Sequence, residues 1–227
     1  MATVTAVRPE YETLARDFPA LAAQFGITVD QALAGELVRL MAAFETVDRH
    51  VDALDDAEAR VALGRAIVRA LRGDASLGGE LGARLAELHA LVSRGGAVEH
   101  VAGGVERFFA CSERLRTTTD ARVFVQAVLD EAASAAELTL AIARRIASPE
   151  FAQFFAVLSE VANLVDKLHD VRADRRRGEI ALRAGGRLHA RLLAAFIVRC
   201  ATLLYIAPRP LRLVVWGARY LVPPKRA

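Results

Sequence analysis

Two stretches of the chain place carboxylates where helix physics disfavours them. The first runs from Phe44 to Asp56 and contains Asp48, Asp52 and Asp55. On an α-helix, at about 100° per residue, Asp48 and Asp52 lie about 40° apart, with Asp55 about 20° from Asp48 on the other side. The second stretch carries Asp166, Asp170 and Asp174 at i, i+4 and i+8, with Asn163 flanking the same face. Like charges at this spacing repel, and anions in the last turns of a helix oppose its dipole. Such local conflicts without visible compensation often mark function.

Two acidic helix faces suit Mg²⁺, which takes one or two carboxylates and completes its shell with water and substrate phosphates. Facing each other, they can hold Mg²⁺ against a diphosphate and so help a carbon–oxygen bond ionise. Nearby arginines add two-pronged contacts to the diphosphate oxygens. Below the metals the pocket must be apolar and aromatic, because water would quench a carbocation. Phe44 lies one turn before Asp48, Phe155 falls about 20° off the Asp166 face and Phe151 about 60° off it. Both stripes therefore run into aromatic residues. The plain alternative is a pair of solvated acidic faces over an ordinary aromatic core; the coincidence of both stripes favours the pocket.

These faces need long helices to carry them, and the chain is built for that. Its 227 residues are 54% hydrophobic and 25% charged, which excludes disorder and collagen-like architecture. Strand and hairpin signals are missing, and apolar residues recur at three and four. The periodicity predicts helices at 10–24, 29–55, 57–72, 78–93, 97–116, 120–147, 150–177, 186–206 and 210–221. Ser148-Pro149-Glu150 is a helix start, and Gly178 is a helix end. No internal repeat or composition shift divides the chain. The expectation is one all-α domain over 1–227, a bundle of eight or nine helices, with a flexible N-terminus over about 1–9 and a basic, apolar C-terminal segment at 210–227.

Charge and cysteine usage narrow the setting. Thirty basic residues meet 27 acidic ones, and most are interleaved, unlike a nucleic-acid binder. Only Lys167 and Lys225 are lysines among those thirty, which with the abundant alanine points to a GC-rich, bacterial genome. Two cysteines, Cys111 and Cys200, make neither a disulfide framework nor a zinc site, and the first residues lack the apolar core of a signal peptide. A cytoplasmic protein is expected. The run Leu192 to Ala207, interrupted by Arg199, reads as too short and too charged to cross a bilayer.

The motifs resemble those of class I isoprenoid synthases: terpene cyclases, prenyl elongases and squalene/phytoene synthases. Asp166, Asp170 and Asp174, followed by Arg177-Gly178-Glu179, stand where terpene synthases carry an Asn/Asp–Ser/Thr–Glu triad and a following Arg-Gly-Asp. Asp170-Val171-Arg172-Ala173-Asp174-Arg175-Arg176-Arg177-Gly178 is similar to the Asp-Val-x-x-Asp-x-Arg-Arg-Gly of squalene/phytoene synthases. Asp48-x-x-x-Asp52 resembles the first motif of the same families, 118 residues before Asp166. Arg116 lies 47 residues before Asn163, near the place of a diphosphate-sensing arginine, and Arg219-Tyr220 resembles a C-terminal Arg-Tyr pair. The chain departs from the families in its short length, in aspartates where terpene synthases prefer Ser/Thr and Glu, and in lacking a tyrosine-rich segment before the second motif.

The resemblance implies the isoprenoid-synthase fold and Mg²⁺, or Mn²⁺, bound by Asp48, Asp52, Asp166, Asp170 and Asp174. It implies diphosphate contacts from Arg116, Arg177, Lys167, Arg219 and Tyr220, and a pocket with Phe44, Phe151, Phe155 and Asn163. Of the three consecutive arginines, Arg177 turns about 60° back from Asp174 toward Asp166, whereas Arg175 and Arg176 turn away. The implied activity is a terpene synthase acting on one allylic prenyl diphosphate, with a condensing squalene/phytoene-type prenyltransferase as the alternative. A helical module that binds prenyl lipids or protein without chemistry is the third class.

Other arrangements carry less. Cys111, Ser112, His50 and His169 lack the elbow of a nucleophile site, and His169 is expected to face solvent or a neighbouring helix. Glu131 and Glu137 fall on different faces, without the Glu-x-x-His of a di-iron bundle. The segment 210–227, with Trp216, could close the bundle or rest on a membrane surface, and a homodimer is compatible with the sequence.

Overall fold

The computed structural model describes the backbone of residues 9–183 and 185–221, and side chains over 15–183 and 185–217. Within them the protein is an all-α bundle without strands. Its helices are α1 (Pro9–Ala22), α2 (Gln31–Asp52), α3 (Ala57–Arg72), α4 (Gly79–Arg94), α5 (Val98–Thr117), α6 (Ala121–Ala143), α7 (Pro149–Arg177), α8 (Gly186–Ile206) and α9 (Pro210–Leu221). Of the N-terminus expected to be flexible over about 1–9, residues 1–8 lie outside the described residues, as do 222–227, and Pro9 begins α1.

Side-chain caps set several boundaries. Asp30 and Asp120 accept hydrogen bonds from the first-turn amides of α2 and α6. Ser148 accepts from the Phe151 amide at 3.2 Å, and Pro149 fills the first turn of α7. Gly178, at φ 79°, ends that helix in the left-handed region, with the Glu179 amide returning to the Asp174 carbonyl at 2.9 Å.

One expected boundary is corrected. The α2 helix stops at Asp52, so Asp55 leaves the acidic face and lies in the loop. Asp56 caps α3 by accepting from the Ala59 amide at 2.8 Å. Arg60 then donates to the carbonyls of Leu54 and Asp55 at 3.0 and 3.1 Å, which fixes the turn.

The α6 helix is central, packing against α2, α5, α7 and α8. The approach of α5 to α6 is close: a Cβ at Gly104 would sit 2.8 Å from a Leu138 methyl. Two apolar clusters stack along α6 and α7. The larger joins α1–α5 to the C-terminal half of α6 and the N-terminal half of α7. The smaller holds Phe124, Val128, Leu164, Val171, Leu188 and Leu192 at the other end. Between the two runs a band of polar side chains, Glu131 and Ser134 on α6 with Ser159, Glu160 and Asn163 on α7.

Two expectations about the apolar parts change. Phe151 and Phe155 are fully buried and close-packed, not walls of a cavity. Both rings meet Phe18 edge-on, at 5.4 and 5.2 Å between centroids, and Phe25 and Phe154 complete the cluster. The α8 helix is 21 residues and, by length and composition, long enough to cross a membrane despite Arg199. That arginine is drawn to the Glu160 carboxylate at 3.0 Å, on the side facing α7.

Candidate functional site

Both acidic stripes lie at one end of the bundle, built from the C-terminal halves of α2, α5 and α7 and the first half of α6. Glu131 on α6 lies within electrostatic reach of both, though it is not one of the residues the motifs single out. Part of Glu131 still meets solvent, but its carboxyl is desolvated. Asn163 on α7 donates from Nδ2 to Glu131 Oε2 at 3.1 Å and to the Val128 carbonyl at 2.9 Å, and Ser112 on α5 also hydrogen-bonds the carboxyl. Burial pushes Glu131 above the ordinary carboxylate range. Lys167 and the two hydrogen bonds pull it back, and the Asp48 charge on α2 pushes it up again. Glu131 is thus within electrostatic reach of both motifs, Asp48 from one side and Lys167 from the other.

Lys167 is half-buried among acids, with Nζ 3.5 Å from Asp166 and 3.6 Å from Asp174. Desolvation alone would weaken its hold on the proton. Asp166, Glu131 and Asp174 outweigh that and keep the ammonium charged beyond its ordinary range. Asp174, expected as a metal ligand, is instead buried in this salt cluster: Arg177 donates to its Oδ1 at 2.7 Å. Burial still pushes the Asp174 carboxyl up, helped by Glu179 and Asp170 and opposed by Lys167 and Arg177. Asp166 and Asp170 are exposed on the same helix.

The two arginines singled out by the sequence both hold carboxylates. Arg116 on α5 donates to Asp52 Oδ1 on α2 at 2.9 Å, and its carbonyl accepts from the Ala181 amide at 2.8 Å. It thereby links α2, α5 and the segment after α7. Arg177 also pairs with Glu179 through Nε and Nη2. Arg175 and Arg176 are exposed. Phe44 is half-buried against the main core, below Asp48 on α2. Arg219 and Tyr220 lie on the α9 backbone, with side chains outside the described residues.

Among the described residues, no three His, Cys, Asp or Glu side chains gather closely enough to hold a metal by themselves. Two open clefts, of about 400 and 440 Å³, lie along α5 and α6 and are lined partly by Glu137; neither touches an acidic-stripe residue. His50 bonds the Thr46 carbonyl, Cys111 is buried with its thiol pushed up by desolvation, and His169 is exposed. The signal for Glu131 was present in the sequence. It stands seven residues after Phe124, on the stripe that buries Phe124 and Val128.

Comparison with known protein families, curated proteins and solved structures finds no match.

Proposed function

We propose that the protein is a Mg²⁺-dependent class I isoprenoid synthase that ionises an allylic prenyl diphosphate, of the terpene-synthase kind. One observation carries this reading: Asn163 beside the α7 aspartates hydrogen-bonds Glu131 on α6 at 3.1 Å, and Asp48 on α2 and Lys167 on α7 both bear on that same carboxyl.

The donor set fits a hard cation delivered with its substrate. Asp48 and Asp52 on one helix, with Asp166 and Asp170 on the other, offer one or two carboxylates per side, as Mg²⁺ accepts when phosphate and water complete its shell. Asp174 is set apart from these four by its burial between Arg177 and Lys167. When bound, the metal would neutralise the diphosphate as it leaves.

The protein's own groups do the rest. Arg116 and Arg177 carry guanidinium forks able to leave Asp52 and Glu179 for diphosphate oxygens. Lys167 supplies a fixed positive charge between the stripes. Asn163 holds the Glu131 carboxyl in place from α7. Phe44 supplies apolar, aromatic surface one turn from Asp48. The Phe151–Phe155 cluster is packed solid, so substrate room must come from the α2–α6–α7 side of the acidic end or from movement of the core.

Two further readings have support. The Asp170-to-Gly178 run favours a condensing enzyme of the squalene/phytoene kind. The packed aromatic core favours a module that binds prenyl lipid or protein without chemistry. Incubation with geranyl, farnesyl and geranylgeranyl diphosphates, with Mg²⁺ or Mn²⁺, separates all three. Release of diphosphate with a terpene from one substrate supports the proposal. A doubled product supports the condensing enzyme. No diphosphate release from any substrate would overturn both catalytic readings.

A further inference from the structure

We propose that the outer face of α8 and α9 docks flat on an anionic lipid bilayer. This does not rest on the catalytic reading. The inner face of α8 buries Leu188, Leu192 and Leu203 against the bundle, with Arg199 paired to Glu160. Its outer face carries Leu193, Ile197, Val198 and Tyr205, which are 49%, 58%, 61% and 90% exposed. With Ala194 and Ala201 between them, they fall within about 140° of the helix circumference and make one uncharged stripe from Leu193 to Tyr205. The neighbouring α9 helix adds exposed Leu211 and Val215, at 82% and 62%. A soluble surface rarely leaves so long an apolar strip open to water.

Charge selects the occupant. After Glu179 the chain has nine basic residues and no acid, whereas the whole chain is only +3, so residues 1–179 sum to −6. The apolar stripe thus sits in a strongly basic segment, with Arg191 on α8, Arg212 on α9 and Arg209 between them all exposed. Apolar side chains can enter the acyl boundary while arginine stems reach up to lipid phosphates. A second copy of this chain would bring the same positive segment against itself, which disfavours a symmetric dimer here. The helix lies on the leaflet and does not cross it, because its other face packs on α7, where Glu160 and Arg199 would enter the hydrocarbon.

Vesicle flotation with the full chain tests this. Phosphatidylcholine vesicles containing phosphatidylglycerol at roughly three parts in ten should carry the protein up the gradient, and pure phosphatidylcholine or high salt should release most of it. Ile197→Asp should lower the bound fraction at least tenfold with circular dichroism unchanged, and Arg209→Gln with Arg212→Gln should lower it less. Should Ile197→Asp fail to fold, Tyr205→Asp, at a side chain almost wholly in solvent, gives the same reading. Failure of the unaltered protein to float would overturn the proposal, as would unimpaired flotation of the folded aspartate variants. A dimer in solution that Ile197→Asp splits, without lipid binding, would overturn it in favour of a second copy.

Discussion

Two charged sites bridge helices at the acidic end of the bundle, and they differ in what they leave over. Arg60 on α3 gives two prongs to Glu113 on α5, at 2.7 and 3.3 Å, and its remaining nitrogen holds the carbonyls of Leu54 and Asp55. One cation meets one anion, and the hydrogen bonds of the guanidinium are made. On α7 two cations, Lys167 and Arg177, serve Asp166, Asp174, Glu131 and Glu179, with the Asp48 charge also acting on Glu131 and the Asp170 charge on Asp174. Two of these carboxyls are pushed above their ordinary range by burial. Folding gains nothing from surplus buried negative charge, so the first site reads as structure and the second as a place waiting for positive charge.

The contrast predicts opposite behaviour on mutation. The largest effect expected is at the surplus site: Asp170→Ala should cut diphosphate release by at least about 100-fold, the scale of losing a transition-state contact. Its stability should hold or rise slightly, because a repulsive neighbour of Asp174 is gone. Turnover equal to that of the unaltered protein would make the stripe a solvated face.

Arg60→Ala should do the reverse. It should cost about 2–3 kcal/mol, on the low side for a broken buried pair because Glu113 is still 20% exposed. At this chain length that lowers the melting temperature by roughly 5–10 °C. Pyrophosphate binding at a temperature where the variant is folded should be unchanged; a matching loss of binding would erase the distinction between the two sites.

The next effect concerns pH. A carboxyl whose folded-state pKa is raised holds its proton more tightly in the folded state. Its contribution is fully present below the unfolded value and is lost as pH rises through the folded one. Glu131, Asp174 and Glu160 all have this sign. Asp120 and Glu150, held down by first-turn hydrogen bonds, have the opposite sign and act at lower pH. Urea unfolding should therefore show stability falling as pH rises above the ordinary carboxylate range. Glu131→Gln should flatten that slope and raise the melting temperature at pH 8 by a few degrees. A slope unchanged by the substitution would remove Glu131 from the surplus.

The smallest effect separates neighbouring arginines. Arg177→Ala should weaken pyrophosphate binding with Mg²⁺ several-fold in isothermal titration, and Arg175→Ala should leave it alone. Equal effects would mean that the run acts only as a basic helix end.

Much of the fold was legible because its signals are local. Ser148-Pro149 and Gly178 bracket α7 by their own backbone chemistry, and the apolar period fixes which faces turn inward. The end of α2 was less so, since the acidic period continues through Asp55; the turn that follows the helix is held by Arg60, a residue of the next element. The carboxylate stripes were legible for the same local reason, each lying on one helix. Glu131 was harder, because its meaning comes from partners on α2, α5 and α7. Asp174 illustrates a different limit: periodicity showed its direction but not that Lys167 and Arg177 would occupy it. Phe151 and Phe155 illustrate another, since cavity walls and solid cores use the same aromatic period.

Lys167 has one more consequence. Only it and Lys225 are lysines in the whole chain, and Lys225 lies far along the sequence near the C-terminus. Protein grown on carbon-13 lysine would therefore carry label in two side chains, one of them set among Asp166, Asp174 and Glu131. The magnetic resonance of that single ε-methylene becomes a voltmeter for the acidic end. Protons, cations or anions that reach the carboxylates must move one isolated signal, without any mutation of the groups being read.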